Sequence, residues 1–559
     1  MSPKTVFAVL FLAWGLSLTA SAEEPGPWSQ LDPNQFDPAK DPDIDLFIGH
    51  WKNSMPRIVH RSLIVRDILT KCIGDPMHPA RKGAVLNEVN AVSRVTLAPR
   101  NIAAPSPLNG EQQVFYVDSG KGVITSGGKT YELRRGNAFL ITPGLDFSLT
   151  CTGDDPLAMY MVTEPLPAGF VPNRELVVKD TFAGQVNISV HWAHIDRGII
   201  GQADGMAVYG GLTEVTLDAM TIAQPHSHNA ATEEVWIAVE GDIRLLLGKQ
   251  FRNLPPGSAY RIPSDGITVH ANVNTTGKPI RLIHMMKAVK GETRPYSMLN
   301  PTQFDPTKDP CIDLFMGHWK DSMPRSLYGS LVVRDILTRC NGDPMHPSRK
   351  GAVLTDLVSV SYASLYPHAV CVPSLLKGEQ QVFYINSGKG TIRAGKQIAE
   401  LRKGIGVFMP AGLEFTLANT AEEPLILYLV TEPLAPGFVP KKEMVVRDKF
   451  QQQISMTVHW SNLDRGLFGK NDGLSTLLGI GPILLDAMSI AQPHSHPKGV
   501  EEVWLALDGD IQVLLGKQLR ALPVGTAYKV PADGITSHTN INRTDRPIEL
   551  MWMMRVPEK

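Results

Sequence analysis

Short apolar runs separated by glycine and proline turns recur along most of this chain. Val114 to Val117 is one such run, and it is followed by the turn at Ser119-Gly120 and later by Thr142-Pro143-Gly144. The run Val235 to Ala238 is followed in the same way by Glu240-Gly241. Brief β-rich runs with frequent turn residues are typical of sandwiches and barrels built from short strands. The pattern therefore predicts an all-β protein.

Helical periodicity is weak, and the segment from Ile44 to Ser54 is the best candidate, predicted as a short helix packed outside a barrel. The chain has 559 residues, of which 43% are apolar, and this is enough to build several cores. The formal net charge of −1 gives no electrostatic reason to expect nucleic acid or a membrane as a partner.

The chain contains a long internal repeat. Gln35-Phe36-Asp37-Pro38 returns as Gln303-Phe304-Asp305-Pro306, and His50-Trp51-Lys52 returns as His318-Trp319-Lys320, in both cases 268 residues later. Two units of equal length follow from this spacing. They are joined near residues 290–301.

Each unit divides again into two halves with the same rhythm of strands and turns. The predicted segments are a signal peptide at 1–22, an N-terminal connector at 23–60, a barrel without metal ligands at 61–180, a metal-type barrel at 181–290, a connector at 291–328, a second barrel without ligands at 329–448 and a second metal-type barrel at 449–559.

The first residues have the pattern of a Sec-type signal peptide. Lys4 precedes an apolar stretch from Val6 to Leu18, and Ala20-Ser21-Ala22 forms a small-residue cleavage site before Glu23. The apolar stretch is shorter than the roughly 20 residues that a membrane-spanning helix needs. We therefore expect a periplasmic or secreted protein.

Three histidines and a glutamate form the candidate site in the first unit. They are His226, His228, Glu234 and His270, and they return as His494, His496, Glu502 and His538. Residues two apart on a strand share a face, so His226 and His228 point the same way. Imidazoles with one carboxylate suit Fe, Mn, Ni, Cu or Zn. The sequence predicts a divalent transition metal, up to two ions per chain.

The loop between the His pair and the Glu pair supports this interpretation. Residues 229–232 and their counterparts 497–500 differ at all four positions, whereas the histidines and glutamates are retained. The other repeated histidines, such as His191 beside Trp192, are interpreted as packing residues. Six further side chains either line a ligand pocket or simply fill the barrel: Gln224, Trp236, Asn272, Gln492, Trp504 and Asn540.

These residues resemble the two motifs of the cupin superfamily. The first motif corresponds to His226-x-His228, Glu234 and Gly241, and the second to Gly257, Pro263, Gly266, His270 and Asn274. The spacer before Glu234 is one residue longer than in the family, so Glu233 stays an alternative ligand. The resemblance implies four cupin-like jelly-roll β-barrels, arranged as two tandem bicupin repeats, with the metal inside the second and fourth barrels.

The first and third barrels have the cupin frame without its ligands. Gln113 and Gln381 stand where the glutamate would be, and Phe147 and Phe415 stand in place of the last histidine. An amide and a phenyl ring do not hold a divalent ion. We therefore expect these two barrels to be structural.

The resemblance implies several functions, because one ligand set serves several reactions. A dioxygenase-type oxidoreductase that acts on a small organic substrate is the main hypothesis, and isomerases, lyases and decarboxylases share the same ligands. The alternative is a non-catalytic protein that binds metal or a small ligand such as a sugar, and a third hypothesis is a metal that only stabilises the barrel. The sequence assigns no catalytic residue, and it leaves open whether the chain forms a homo-oligomer.

Overall fold

The computed structural model describes residues 34–188, 191–291, 302–456 and 459–557. The predicted signal peptide lies outside these residues. No helix in the described part of the chain is both long and apolar enough to cross a membrane. Apart from short 3₁₀ turns, the regular structure consists of β-strands, so the all-β prediction is confirmed.

Two barrels form the first unit, and each combines a large sheet with a sheet of four strands. The strands that precede or form the first barrel are β1 (Ile48–His50), β2 (Arg57–Val59), β3 (Leu63–Lys71), β4 (Ala84–Leu86), β5 (Ala91–Leu97), β6 (Ile102–Ala103), β7 (Glu111–Ser119), β8 (Gly122–Ser126), β9 (Lys129–Leu133), β10 (Asn137–Ile141), β11 (Ser148–Cys151), β12 (Leu157–Pro165) and β13 (Val177–Asp180). Those of the second barrel are β14 (Val186–Ile188), β15 (His194–Gly201), β16 (Gly211–Leu217), β17 (Thr221–Ile222), β18 (Glu233–Glu240), β19 (Ile243–Leu247), β20 (Gln250–Leu254), β21 (Ser258–Arg261), β22 (His270–Asn274) and β23 (Ile280–Lys287).

The second unit repeats this arrangement. Its strands up to the end of the third barrel are β24 (Met316–His318), β25 (Arg325–Leu327), β26 (Leu331–Arg339), β27 (Ala352–Leu354), β28 (Ser359–Leu365), β29 (Ser374–Leu375), β30 (Glu379–Ser387), β31 (Gly390–Ala394), β32 (Gln397–Leu401), β33 (Ile405–Met409), β34 (Glu414–Asn419), β35 (Leu425–Pro433) and β36 (Val445–Asp448). The fourth barrel contains β37 (Ser455–Met456), β38 (Asn462–Asp464), β39 (Phe468–Gly469), β40 (Gly479–Leu485), β41 (Ser489–Ile490), β42 (Glu501–Ala506), β43 (Ile511–Leu515), β44 (Gln518–Leu522), β45 (Thr526–Lys529), β46 (His538–Asn542) and β47 (Ile548–Arg555).

Strand order is the same in both units. The first barrel pairs β13-β10-β7-β12-β5-β3-β2 with β4 beside β3, and its small sheet is β6-β11-β8-β9. The second barrel pairs β1-β21-β18-β23-β16-β15-β14 and β17-β22-β19-β20. The third barrel pairs β25-β26-β28-β35-β30-β33-β36 and β29-β34-β31-β32, and the fourth pairs β24-β45-β42-β47-β40-β38-β37 and β41-β46-β43-β44. The four jelly-roll barrels in two tandem repeats are therefore as predicted.

The predicted helix from Ile44 to Ser54 is wrong. Two 3₁₀ turns, Ile44–Phe47 and Trp51–Asn53, flank strand β1, which pairs with β21 of the second barrel. Gly49 in β1 packs against the backbone of Ile68 so closely that an added Cβ would lie 2.0 Å from its carbonyl oxygen. The remaining 3₁₀ turns are Thr181–Ala183, Gln202–Asp204, Ile312–Phe315, Trp319–Asp321, Lys449–Gln451 and Lys470–Asp472. Sheet pairing and this close contact outweigh local helical preference.

The outer faces of the two large sheets pack together within each unit. Val114 and Tyr116 of β7 and Val235 and Ile237 of β18 belong to one buried cluster, whereas Phe115 belongs to the separate cluster inside the first barrel. Because side chains alternate along a strand, the other face of β18 points into the second barrel. Strand β18 is therefore buried on both faces.

The two units meet through the small sheets of the second and fourth barrels. Val269, Ala271 and Val273 of the first unit share a buried cluster with Leu514 and Ile541 of the second. The alternate residues of β22 begin with His270 and point into the second barrel. One strand thus joins the units with one face and carries a candidate ligand on the other.

Candidate metal centre

His226, His228, Glu234 and His270 come together inside the second barrel. One ligand atom of each lies within 4.8 Å of the others, and the side chains are between 1% and 6% exposed. The N–H of His270 donates to the carbonyl of His226 at 2.8 Å, and the reverse hydrogen bond is 3.2 Å long. This pairing places the two imidazoles side by side, with ring centroids 4.3 Å apart. The four predicted ligands thus face one point of the barrel interior.

Glu234 turns one carboxylate oxygen towards the imidazoles and the other towards two nitrogen groups. Its Oε2 contacts Nε2 of His228 and lies 3.4 Å from Nε2 of His270. Its Oε1 accepts a hydrogen bond from Trp236 Nε1 at 2.9 Å and lies 3.0 Å from His284 Nε2. Contacts such as those of Oε1 with Trp236 and His284 hold a ligating carboxylate in a defined orientation.

The Nδ1 atom of His226 forms a hydrogen bond with the backbone. Nδ1 lies 2.8 Å from the carbonyl oxygen of Gln224, which can only accept, so this nitrogen carries the proton. Nε2 is then the lone-pair atom, and it is buried without a hydrogen-bond partner among the described residues. His494 repeats the arrangement 2.9 Å from the carbonyl of Gln492. A buried lone pair beside a carboxylate and two further imidazoles fits a divalent metal ion.

The electrostatics favour a neutral His226 and an ionised Glu234. Burial, followed by the neighbouring imidazoles led by His270, lowers the pKa of His226 well below its ordinary value. Burial by itself would raise the pKa of Glu234, but His228 and His270 outweigh it and hold that pKa well below the ordinary value. A neutral imidazole and an ionised carboxylate are the ligand forms of these groups.

The fourth barrel brings together the three equivalent histidines. One ligand atom each of His494, His496 and His538 lies within 4.8 Å of the others. Oε2 of Glu502 lies 3.0 Å from His496 Nε2 and 2.7 Å from His538 Nε2. Glu502 does not come within 4.8 Å of all three imidazoles. The group in the fourth barrel therefore contains three histidines, whereas the group in the second barrel contains three histidines and a glutamate.

Glu233, the alternative ligand, faces the first barrel. It is fully buried, and its carboxylate accepts backbone N–H groups of residues 87–88 at 2.5 and 3.2 Å and the hydroxyl of Tyr209 at 2.7 Å. The guanidinium Nε of Arg261 lies 3.3 Å away. Adjacent residues on a strand point to opposite faces. Glu234 therefore faces the histidines, and Glu233 joins the two barrels.

The predicted pocket residues are buried in the barrel interior. Asn272 accepts a hydrogen bond from the Tyr260 hydroxyl at 3.0 Å, and Asn540 accepts one from Tyr528 at 2.9 Å. Exposure is at most 3% for the whole set of Gln224, Trp236, Asn272, Gln492, Trp504 and Asn540. Their described contacts are with the barrel itself.

Two histidines beside the first centre are absent from the predicted site. The ring of His191 stacks on that of His226 with centroids 4.6 Å apart, and His459 stacks on His494 at 4.3 Å. His191 does pack, as the sequence interpretation has it, but it packs on a candidate ligand. His284 is missed because the second repeat has tryptophan at the equivalent position, so a comparison of the repeats gives no signal for it.

The first and third barrels fill the same central position with hydrogen bonds. In the first barrel, Nδ1 of His60 accepts the backbone N–H of Ser106 at 3.1 Å, so Nε2 donates to Gln113 Oε1 at 2.8 Å. In the third, the Tyr328 hydroxyl donates to Gln381 Oε1 at 2.6 Å. Across the described ranges, groups of metal-ligating side chains occur in the second and fourth barrels and not in these two.

Comparison with known families identifies one domain. Residues 93–163 match a family model described as a cupin domain, and they lie within the first barrel. The match confirms the resemblance to the cupin superfamily. A search of curated proteins finds no sequence match.

Several solved structures resemble part of the chain. AerE from Microcystis aeruginosa is 14% identical, over 44% of this chain and 100% of that protein, with a TM-score of 0.34. Ylba from E. coli is 13% identical, over 44% of this chain and 91% of that protein, with a TM-score of 0.33. Oxalate decarboxylase from Lactobacillus farciminis, in its formate complex, is 11% identical over 45% of this chain and 89% of that protein, with a TM-score of 0.35. Similarity at this level carries no information about function.

Proposed function

Since this chain is a member of the cupin superfamily through the domain at residues 93–163, we propose that it is a metal-dependent enzyme acting on a small organic substrate. The observation that supports the proposal is the buried group of His226, His228, Glu234 and His270, whose ligand atoms lie within 4.8 Å of one another. A similar set of three histidines, with Glu502 beside two of them, is present in the fourth barrel.

The donor set fits Fe, Mn, Ni, Cu or Zn, because it combines neutral imidazoles with one carboxylate. A divalent ion held by these residues would act as a Lewis acid towards a bound substrate, or would activate dioxygen or water. The Gln224 carbonyl holds His226 with Nε2 facing the centre. Trp236 and His284 orient Glu234, and a carboxylate that is not ligating can accept a proton.

We assign the reaction to the dioxygenase type, on substrates such as catechols or enediols. The resemblance to cupin enzymes with three histidines and a glutamate supports this choice. His226, His228, Glu234 and His270 would hold the ion, which would then supply a binding position for substrate or dioxygen. The apolar barrel walls, with Trp236 and Ile222 fully or almost fully buried, favour a small organic molecule over a polymer.

The test begins with metal content. The mature chain is purified without chelator and analysed by plasma mass spectrometry beside His226→Ala/His494→Ala. A matched control is His50→Ala/His318→Ala, which replaces an equivalent pair of histidines outside the two clusters. We expect about two ions per chain in the parent and the control, and close to none in the first variant.

Oxygen uptake then tests the reaction. Parent protein loaded with Fe²⁺ should consume dioxygen with at least one member of a panel of catechols and enediols, and His226→Ala/His494→Ala should not. Bound metal without dioxygen uptake would favour the non-catalytic binding protein. If neither chain retains metal after loading with Fe, Mn, Ni, Cu and Zn in turn, the metal-dependent function is wrong.

We also propose that the protein is exported to the periplasm or beyond the cell. The support is the segment from Lys4 to Ala22, with its short apolar stretch and small-residue cleavage site. Mature protein should begin at Glu23 by intact mass, and a chain that retains Met1 outside the cytoplasm would contradict the assigned cleavage site.

A further inference from the structure

The two candidate centres hold their carboxylates with different donors. In the first, Trp236 Nε1 donates to Oε1 of Glu234 at 2.9 Å, and His284 Nε2 lies 3.0 Å from the same oxygen. In the second, Oε1 of Glu502 accepts from Trp552 Nε1 at 2.7 Å. His284 and Trp552 are equivalent residues, 268 positions apart, and each is paired with a tryptophan of the glutamate-bearing strand.

The replacement changes the role of that neighbouring tryptophan. Trp504 is the counterpart of Trp236, yet its buried Nε1 has no hydrogen-bond partner among the residues that the structure describes. The indole of Trp552 therefore takes over the contact that Trp236 and His284 share in the first centre. A single donor on the strand equivalent to that of His284 thus replaces two groups that lie on two neighbouring strands.

The neighbouring strand also differs between the two units. His284 is paired with Thr213 across the sheet, whereas Trp552 is paired with Gly481, the counterpart of Thr213. An added Cβ on nearby Gly479 would lie 3.4 Å from the Trp552 ring. An added Cβ on Gly481 itself would lie 2.8 Å from the carbonyl oxygen of Arg465, so the backbone of residues 465–467 and not the Trp552 ring requires glycine there.

The position of the carboxylate differs accordingly. Glu234 lies within 4.8 Å of all three imidazoles of its centre, and Glu502 does not. Oε2 of Glu502 approaches only His496 and His538, at 3.0 and 2.7 Å. We propose that His284 and Trp552 are positioning residues that make the centres unequal, the first binding metal through three histidines and Glu234 and the second mainly through its three histidines. This inference rests on the proposed metal-dependent function.

The experiment measures each centre in the full-length chain. His496→Ala disables the second centre and leaves the first, and His228→Ala does the reverse. Co²⁺ is the probe, because its visible absorption reports the ligand set, and its affinity is measured by titration in competition with a chelator. We expect the first centre to bind Co²⁺ about tenfold or more tightly than the second, with a different spectrum, as for changes in groups that orient ligands.

Variants of His284 in the His496→Ala chain test the positioning role. His284→Phe removes the nitrogen that faces Glu234 and should weaken Co²⁺ binding about 10- to 100-fold. His284→Gln keeps a donor and should restore most of the affinity, a rescue that a purely space-filling role would not give. Thr213→Gly/His284→Trp copies a combination that the second repeat already accommodates, and it should give the affinity and spectrum of the second centre.

The reverse exchange, Trp552→His in the His228→Ala chain with Gly481 kept, should strengthen binding and shift the spectrum towards that of the first centre. Equal Co²⁺ affinities and spectra in the two single-centre chains, unchanged by these exchanges, would overturn the inference and leave the metal-dependent function intact. Absence of Co²⁺ binding in both single-centre chains, with the chains folded by circular dichroism, would overturn both.

Discussion

The first and second barrels of each unit have matching strand orders but different interiors. In both, a turn directly before the first long strand places one side chain at the barrel centre: His60 before β3 and His191 before β15. The carbonyl of each accepts the N–H two residues later, at 2.9 and 2.8 Å. His60 then donates to Gln113, whereas His191 stacks on His226. The residue at this backbone position thus hydrogen-bonds to a glutamine in the first barrel and packs on a candidate metal ligand in the second.

The inward face of the next strand shows the same contrast. The first barrel has Leu63 and Val65 there, both fully buried, and the second has His194 and Asp196 at the corresponding positions. Buried polar groups require partners. In the first barrel His60 and Gln113 form such a pair, and in the second the candidate ligands lie within 4.8 Å of one another. One strand order thus accommodates both interiors, which differ at a small number of inward-facing side chains.

The largest expected effect on stability concerns Glu233, which links the two barrels, compared with Glu234, which lies in the candidate metal centre. Glu233→Ala leaves Arg261 buried without its carboxylate, and should lower the free energy of unfolding by about 3–5 kcal/mol. Glu234→Ala, one residue away, leaves Trp236 Nε1 without its acceptor but strands no buried guanidinium, so the chelator-treated protein should lose less, about 1–3 kcal/mol, while metal binding at the first centre is strongly weakened. Denaturant unfolding in chelator and metal analysis measure both. Similar losses of stability in the two variants would refute the division of roles.

A smaller effect on stability is expected from replacing His60 or His191, which occupy equivalent turns in the first and second barrels. His60→Phe removes the donor to Gln113 and leaves a buried amide oxygen unsatisfied, at a cost of about 1–3 kcal/mol. His191→Phe makes the same change at the same backbone position, but it keeps a ring to stack on His226, so the loss should be smaller. Denaturant midpoints of the two variants give the comparison. A larger loss for His191→Phe would show that the second barrel depends more on this turn than the first.

The smallest effect concerns pH. Burial raises the pKa of Asp196 to about 6 and that of Asp464 to about 6, from 3.8. The folded chain therefore keeps these protons to higher pH than the unfolded chain, and the cost of ionisation grows as pH rises from about 4 to about 6 and is complete above it. Asparagine cannot ionise, so Asp196→Asn should stabilise the protein at pH 8, on the order of 1 kcal/mol after solvent screening, and not at pH 4.

Thermal unfolding of Asp196→Asn and Asp464→Asn at both pH values measures this effect. Val65 and Val333 occupy the corresponding positions in the metal-free barrels, so no such pH-dependent cost arises there. A stability difference between parent and variant that is the same at pH 4 and pH 8 would contradict the assigned titration.

Much of the architecture was predictable, because it depends on local patterns and on the repeat. The alternation of short apolar runs with glycine turns indicated an all-β sandwich or barrel, the resemblance to the cupin motifs implied the jelly-roll barrels, and the 268-residue spacing indicated two equivalent units. The helix expected at Ile44 to Ser54 is wrong because this segment pairs with β21, a partner more than 200 residues away. No local preference could reveal that contact.

The sequence by itself determined the residue types of the site: His226, His228, His270 and an acidic pair that survives in both repeats. It could not decide between Glu233 and Glu234, because β18 is buried on both faces and its apolar residues show no alternation. Only the tertiary structure decided this, by placing one face of the strand against the first barrel and the other inside the second. It also brought His284 to Glu234 from a strand about 50 residues later in the chain, a contact that depends on sheet order rather than on spacing.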